Sequence, residues 1–281
     1  MSTLSLGSRV GLGTASLHHL HSKKKKHRLL ESAFDAGIRY FDTAPLYGHE
    51  SAEQVLGAFT RGHQSRDSVV IATKIGLAPN SLVSAVPHLL LPYIALRKLT
   101  IKSRILSSSI WEPRRDYSPG HVVQRVERSL KKMGLDYLDI VYLHEPKIGD
   151  LKDTDALTEA SLSLKQRGLI RSFGASVGYK TAQWLQDSAP ELAEVLQVEI
   201  PRQPECSAEL NNWFTNTANA TFGHFRVFNE DVSAVQANQR VKRVAKRAVE
   251  LNRLGTVLFS TTKELHIADF VSAIRAADKL A

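Results

Sequence analysis

Four ionisable residues stand at or just after the ends of short apolar runs, where each could take part in moving a proton. Asp42 ends the run that begins at Ile38, and Tyr47 follows in the next loop. Lys74 and His144 each end a later apolar run. An ammonium beside a phenol favours the phenolate and lowers the pKa of the phenol, while a carboxylate keeps the ammonium charged and in place. The imidazole could orient a substrate oxygen. This combination of residues predicts a centre that gives a proton to a carbonyl oxygen.

Each of these residues also has an ordinary structural explanation. Asp42 could cap a turn, and Tyr47 could pack beneath its loop. Lys74 could reach solvent, and His144 could be a neutral histidine with satisfied hydrogen bonds. For each residue taken alone, the structural explanation is stronger than a catalytic role. All four residues nevertheless fall at the same end of neighbouring strands, and this coincidence favours a site. Protonation alone does not reduce a carbonyl, so the centre needs a hydride donor, and nicotinamide is the cofactor class that supplies one. The sequence offers no covalent nucleophile and no metal ligand set for this chemistry.

Short apolar strands that alternate with amphipathic helices would position these residues. The predicted strands are Arg9–Gly13, Ile38–Thr43, Ser68–Ile75, Tyr137–Leu143, Ile170–Ser176, Val195–Ile200, His224–Phe228 and Thr256–Thr261. The predicted helices are Lys25–Ala36, Ser51–Thr60, Pro119–Met133, Ala156–Arg167, Lys180–Asp187, Ala208–Ala218, Val232–Arg253 and Lys263–Asp278. Eight βα units of roughly 35 residues predict an α/β protein with the (β/α)8 TIM barrel architecture. In that barrel the carboxyl ends of all the strands meet at one mouth, where active sites lie.

One segment, Leu77–Ser118, interrupts the repeat between the third strand and its helix. It begins with an apolar stretch and ends in a basic, polar one. A connection of about 40 residues is far longer than an ordinary βα loop, and it lies on the face that carries the active site. We interpret it as a lid or wall over the site, and the alternative is a surface excursion that packs or binds a partner.

Composition limits the classes of protein to which this chain can belong. The 281 residues include 43% apolar and 23% charged residues, which is the balance of a folded globular protein. The single cysteine, Cys206, cannot form an intrachain disulfide, which fits a reducing compartment. The chain lacks an apolar run long enough to span a membrane and a recognisable signal peptide at its start. We therefore expect a cytoplasmic protein in which residues 1–281 form a single barrel domain.

The net charge of +9 is partly concentrated in the run Lys23–Lys26, followed by Arg28. Such a run could bind nucleic acid or an anionic membrane, but it lacks interleaved aromatic residues and a known nucleic-acid motif. The stronger interpretation is the solvated start of a helix that continues through Leu29, Leu30 and Ala33. The positive field could also attract an anionic small molecule such as a phosphorylated cofactor. We expect no nucleic-acid or membrane partner.

The order of these motifs resembles the aldo-keto reductase superfamily along nearly the whole chain. The motifs that carry the resemblance are Gly11-Leu12-Gly13-Thr14, Phe41-Asp42-Thr43-Ala44 with Tyr47-Gly48, Thr73-Lys74, His144-Glu145-Pro146 and Gly174-Ala175-Ser176. The resemblance implies a barrel, NADPH or NADH as cofactor, and interconversion of a carbonyl compound and its alcohol. It also implies that Asp42, Tyr47, Lys74 and His144 form a catalytic tetrad, with Tyr47 as the general acid.

The resemblance implies a set of cofactor-binding residues as well. These are Gly13, Thr14, Asp42, Ser176, Gln197, Phe228, Ser260, Thr261, Thr262 and His266. Val177 stands where relatives usually have an asparagine beside the nicotinamide, and His266 stands where many NADPH-selective relatives have an arginine. Histidine cannot reproduce the two-point contact that an arginine makes with a phosphate. The resemblance therefore favours NADPH as the cofactor and leaves NADH open. The segment around Thr261 could hold a phosphate at a helix N-terminus, or Thr261 or Thr262 could simply cap that helix.

Two other functions stay open at this stage. The barrel could be a nicotinamide-binding sensor or regulatory subunit with little turnover, an alternative motivated by the missing asparagine at Val177. A barrel hydrolase or isomerase is weaker, because no acidic pair or metal cluster supports it. The apolar part of the Leu77–Ser118 insert favours a hydrophobic or aromatic carbonyl substrate. The sequence determines neither the particular aldehyde or ketone nor the oligomeric state.

Overall fold

The three-dimensional description comes from a computed structural model of the chain. It covers residues 9–62, 66–78, 113–199, 212–213, 216–217, 220–223, 234–252 and 255–280.

Ten strands are present in these ranges, and eight of them close into a parallel barrel. The strands are β1 (Val10–Gly13), β2 (Tyr40–Asp42), β3 (Val70–Ile75), β4 (Leu77–Ala78), β5 (Arg114–Arg115), β6 (Leu138–His144), β7 (Ile170–Val177), β8 (Val195–Glu199), β9 (Ala220–Gly223) and β10 (Val257–Phe259). Around the barrel the order is β1-β10-β9-β8-β7-β6-β3-β2. Strands β4 and β5 pair antiparallel outside the barrel. The predicted (β/α)8 barrel is therefore confirmed.

Helices follow most of the barrel strands, as the alternating pattern predicts. They are α1 (Lys23–Asp35), α2 (Ser51–Gly62), α3 (Pro119–Met133), α4 (Thr154–Gln166), α5 (Tyr179–Ser188), α6 (Ala234–Leu251) and α7 (Glu264–Asp278). Helix α3 has a proline at its first position and ends at Met133, and the next residue, Gly134, caps it with a φ of 64° in the left-handed region. Helix α1 begins with the lysine run and buries Leu29, Leu30 and Ala33, as the solvated-helix interpretation predicts.

The core has two parts because each barrel strand is buried on both faces. A small cluster fills the barrel interior, where the hydroxyls of Tyr40 and Tyr142 lie 3.0 Å apart. A larger apolar cluster lies between the strands and the surrounding helices. This double burial explains the continuous apolar runs in the sequence, and it fixes the strands whose ends carry the functional residues.

Three predictions fall wholly or largely outside the described residues, and one described barrel strand was not predicted. That strand is Ala220–Gly223, which precedes the strand predicted at His224–Phe228. That strand begins with alanine and ends with glycine, two residues of low strand preference that conceal it in the sequence. Residues 224–228 lie outside the described ranges, as do residues 79–112 of the Leu77–Ser118 insert and most of the helix predicted at Ala208–Ala218. In the part of the chain described here, no helix is long and apolar enough to cross a membrane.

Candidate active site

The strand register aligns residues at the carboxyl ends of two groups of neighbouring strands, β1 with β2 and β6 with β7 and β8. Gly13 of β1 lies opposite Asp42 of β2. His144, the last residue of β6, lies opposite Ser176 of β7, which in turn lies opposite Gln197 of β8. Because all these strands are parallel, their carboxyl ends share one edge of the barrel.

The structure brings Asp42, Tyr47, Lys74 and His144 together at this edge. The Lys74 ammonium donates a hydrogen bond to Asp42 Oδ2, and Lys74 Nζ lies 3.2 Å from the Tyr47 hydroxyl oxygen. The rings of Tyr47 and His144 meet edge to face, with their centroids 5.9 Å apart. Asp42, Lys74 and His144 are each at most 4% exposed, so their interactions are largely shielded from water.

Burial changes the protonation balance predicted for this cluster. It works against the charged form of Lys74, but the Asp42 carboxylate and the Tyr47 phenol outweigh it and raise the pKa of Lys74. Burial also raises the pKa of Tyr47, and the nearby ammonium offsets only part of that rise. Lys74 therefore acts on the pKa of Tyr47 in the predicted direction, but desolvation of the phenolate is the larger effect and the net shift is upward.

His144 is held as a neutral imidazole. Burial, and then the positive charge of Lys74, lower its pKa well below the ordinary value. Its backbone carbonyl accepts a 2.6 Å hydrogen bond from the Tyr117 hydroxyl, and Arg115 donates to the carbonyl of the next residue, Glu145. Tyr117 and Arg115 lie at the end of the Leu77–Ser118 insert, so this end of the insert holds the strand end that carries His144.

A cleft of about 670 Å³ opens beside the tetrad. Among the described residues its lining comprises Ala15, Leu46, Tyr47, His144, Glu145, Pro146, Ser176, Val177, Gly178, Gln197 and Glu199. The Ser176 hydroxyl donates to Gln197 Oε1 over 2.7 Å, and Gln197 Nε2 donates to Asp42 Oδ1 over 3.0 Å. A continuous hydrogen-bonded chain therefore connects the cleft residues Ser176 and Gln197 to Asp42 and Lys74.

Comparison with known proteins agrees with this geometry. The model of the aldo/keto reductase family matches residues 9–201. The chain belongs to the aldo/keto reductase family. The matched range includes Ser176, Gln197 and the four residues Asp42, Tyr47, Lys74 and His144.

Individual members of the family share part of the sequence or the fold. A D-threo-aldose 1-dehydrogenase of a Pseudomonas species is 31% identical over 171 residues, which cover 59% of this chain and 48% of that protein. A pyridoxal 4-dehydrogenase of Microbacterium luteolum is 31% identical over 203 residues, which cover 65% and 55%. The chain thus spans about half the length of the curated relatives it matches. An aldo-keto reductase of Klebsiella pneumoniae, solved in complex with NADPH, superposes with a TM-score of 0.64 at 20% identity, covering 95% of this chain and 85% of that one.

The remaining predicted cofactor residues form two groups. Thr14 is buried next to Gly13 at the end of β1. Farther round the mouth, the Thr261 hydroxyl lies 3.0 Å from His266 Nδ1 and accepts a 3.1 Å hydrogen bond from the Lys263 backbone. The Ser16 hydroxyl donates to the Thr261 carbonyl over 3.0 Å and so ties this second group to the loop after β1.

The alternative in which Thr261 or Thr262 caps the last helix is wrong. Helix α7 begins at Glu264, and its N-cap is Lys263, whose side chain makes no cap hydrogen bond. The Thr261 hydroxyl is instead used by the Lys263 backbone and His266. Ser260 and Thr262 lie in the same connection between β10 and α7. Phe228, predicted to stack on the nicotinamide, lies outside the described residues.

An unusual turn fixes the loop that carries Tyr47. Gly48, His49 and Glu50 all have positive φ, although this region is unfavourable for the last two residue types. The Glu50 carboxylate is buried, and it lies 3.0–3.2 Å from the side-chain nitrogens of Arg125, Arg128 and Lys132 on α3. These ion pairs hold the strained turn against the helix.

Several contributors to the site were missed by the sequence analysis. Glu145 and Glu199 line the cleft, and their only signal in the sequence is that each lies within two residues of a predicted site residue. Glu50, Arg115 and Tyr117 act through contacts with residues distant in the chain, which no local pattern indicates.

Proposed function

We propose that the chain is an NAD(P)H-dependent reductase that converts a small-molecule aldehyde or ketone to its alcohol, with Tyr47 as the proton donor. The observation that carries this proposal is the buried chain of contacts from Asp42 through Lys74 to the Tyr47 hydroxyl, beside His144 and open to one cleft. Such a chain can supply a proton and stabilise the phenolate left behind.

The residues present fit a nicotinamide. The Gln197 amide and the Ser176 hydroxyl each keep hydrogen-bonding capacity beyond the bonds they make to each other and to Asp42. The Thr14 hydroxyl is buried and has no hydrogen-bond partner within the described ranges. We assign Ser176 and Gln197 to the carboxamide of the nicotinamide, while Val177 cannot hydrogen-bond to that group through its side chain.

The proposed mechanism divides the reduction between cofactor and protein. When bound, the reduced nicotinamide supplies a hydride to the carbonyl carbon. Neutral His144 donates a hydrogen bond that orients the carbonyl oxygen, and Tyr47 transfers its hydroxyl proton to that oxygen. The carbonyl thus becomes an alcohol, with its new C–H bond formed from the hydride and its new O–H bond from the Tyr47 proton. Lys74 then stabilises the Tyr47 phenolate, and Asp42 keeps Lys74 in place.

We further propose that Ser260, Thr261, Thr262 and His266 hold the adenosine phosphate of NADPH. In support of this proposal, the Thr261 hydroxyl lies beside the His266 imidazole at the start of α7. The N-terminus of a helix attracts anions. Fluorescence titration with NADPH and with NADH measures the preference directly. Tighter binding of NADH than of NADPH would refute this assignment.

The substitution Tyr47→Phe tests the proposed reaction. We expect kcat for NADPH-dependent aldehyde reduction to fall by at least about 100-fold, because the proton donor is lost. The dissociation constant of NADPH, measured by fluorescence, should stay within about twofold, because the hydroxyl acts mainly in the transition state.

The matched control is Tyr137→Phe, because Tyr137 lies just before β6 at the opposite end of the barrel and donates its hydroxyl to Asp67. This variant should keep the wild-type kcat. Full turnover by Tyr47→Phe would contradict the role of Tyr47. A wild-type protein that binds NADPH but reduces no aldehyde in a broad panel would instead support a binding barrel without turnover.

A further inference from the structure

The charged residues that the structure describes in the cleft lining are carboxylates. Of the lining residues the structure describes, Glu145 and Glu199 are charged, and none is a lysine or arginine. Both glutamates are exposed in the open cleft. Lys74 lies deeper, and Asp42 compensates its charge. A substrate that enters the cleft therefore meets negative charge before it reaches Tyr47.

The backbone at Glu145 is held in an unfavourable conformation. Its φ of 51° lies in the left-handed region, which costs a residue with a Cβ atom free energy. Two contacts maintain it: the Glu145 N–H donates to the Ser176 carbonyl over 2.8 Å, and Arg115 donates to the Glu145 carbonyl. The negative charge of Glu145 also contributes to the raised pKa of Tyr47, as expected for a carboxylate close to the reacting phenol.

A neighbouring cation, Arg115, is committed to another acid. Arg115 donates to Asp150 Oδ2 from both Nε, over 3.0 Å, and Nη2, over 2.7 Å. To Glu145 it donates at the backbone carbonyl. Within the described part of the chain, the Glu145 carboxylate makes no ion pair, and neither does that of Glu199. Arg115 thus pairs directly with Asp150 and acts on the Glu145 carboxylate only at longer range, which leaves that carboxylate available to a ligand in the cleft.

We propose that Glu145, supported by Glu199, is a specificity-determining residue that selects the charge of the carbonyl substrate. The inference rests on the proposed reductase function and names the substrate class: neutral or cationic carbonyl compounds are accepted, and compounds with a carboxylate or phosphate near the carbonyl are disfavoured. The effect per charge is about five- to tenfold in kcat/KM, the size expected for one pair of charges across a partly hydrated cleft.

The test uses three benzaldehydes that differ at the position para to the aldehyde. They carry a carboxylate, the methyl ester of that carboxylate, or a trimethylammonium group. The measured quantity is the ratio of kcat/KM between two substrates, compared between wild type and Glu145→Gln, so that intrinsic reactivity cancels. We expect the ratio of ester to carboxylate to fall about five- to tenfold in Glu145→Gln, and the ratio of ammonium to ester to fall by a similar factor.

Two controls separate the possible outcomes. Glu191→Gln removes an exposed glutamate before β8, at the opposite end of the barrel, and should leave both ratios unchanged. In the wild-type protein, raising the salt concentration should reduce the discrimination between ester and carboxylate, and this measurement needs no variant.

The protein could turn over all three aldehydes while neither Glu145→Gln nor salt changes the ratios of kcat/KM. That result would overturn the inference and leave the reductase function intact. Absence of turnover with every aldehyde would overturn the proposed function, and the inference with it.

Discussion

Replacing Glu53 by glutamine should make the stability difference between variant and wild type depend strongly on pH. Glu53 lies on α2, and its side chain is buried against β3 and α3. The helices pack so tightly there that a Cβ atom on Gly57 would lie 2.1 Å from the Met133 carbonyl oxygen, which leaves no room for water at that contact. Burial raises the pKa of Glu53 from 4.5 to about 7, although a hydrogen bond from Thr73 and the nearby Ser129 hydroxyl partly stabilise the carboxylate.

The sign and size of the effect follow from this pKa. In the unfolded chain Glu53 titrates near 4.5, and in the folded chain near 7, so the folded state binds its proton more tightly. The stability that the protonated group provides is fully present below pH 4.5 and is lost as the pH rises to about 7. The interval 7 − 4.5 = 2.5, at about 1.4 kcal/mol per pH unit, gives a loss of about 3 kcal/mol.

Glutamine has nearly the same shape, accepts the Thr73 hydrogen bond and does not ionise. Urea unfolding of wild type and Glu53→Gln at several values between about pH 4.5 and 8 should therefore show the variant gaining about 3 kcal/mol relative to wild type as the pH rises. The control is Glu159→Gln, which removes an exposed glutamate on α4 and should give no such trend. A difference between Glu53→Gln and wild type that stays constant with pH would refute the idea that Glu53 is buried as an acid with a raised pKa.

Two further predictions concern the contacts that hold the proposed catalytic residues. Tyr117→Phe removes the hydroxyl that donates to the His144 carbonyl and should cost about 1–3 kcal/mol of unfolding free energy, with a lower kcat for aldehyde reduction. Urea unfolding and steady-state kinetics measure both effects, and an unchanged kcat would show that this contact does not position His144. Glu50→Gln should destabilise the fold by about 1–3 kcal/mol, because a buried carboxylate with three cationic partners is lost. Glu127→Gln, which breaks an exposed pair with Arg167, should cost at most about 1 kcal/mol, and equal losses in the two variants would contradict the anchoring role of Glu50.

The barrel and the positions of the tetrad could be predicted because both depend on local patterns. Parallel strands buried on both faces produce apolar runs, and a polar residue that ends such a run lies at the barrel mouth. Asp42, Lys74 and His144 follow this rule, and helix α3 carries its start and stop signals at Pro119 and Gly134. The short strand Ala220–Gly223 lacks a comparable apolar run, so it was not predicted.

The electrostatics of the site could not be predicted in the same way. The direction in which the pKa of Tyr47 shifts depends on how deeply the phenol is buried and how close it lies to Lys74. Both quantities exist only in the folded chain. Neither the ion pairs of Glu50 nor the Tyr117 hydrogen bond has a local signal, because their partners lie 75 and 27 positions away in the chain.

The raised pKa of Tyr47 is compatible with its proposed role. A phenol that stays protonated at neutral pH is ready to donate, and the cost of forming its phenolate arises when the proton leaves. Lys74 is placed to reduce that cost, because its ammonium lies 3.2 Å from the phenol oxygen and Asp42 keeps it charged. A neighbouring negative charge at Glu145 opposes the same step. An anionic substrate would add to this opposition beside the reacting oxygen, whereas a cationic one would relieve it. If the proposed function holds, the same carboxylate would therefore influence both the proton donor and the choice of substrate.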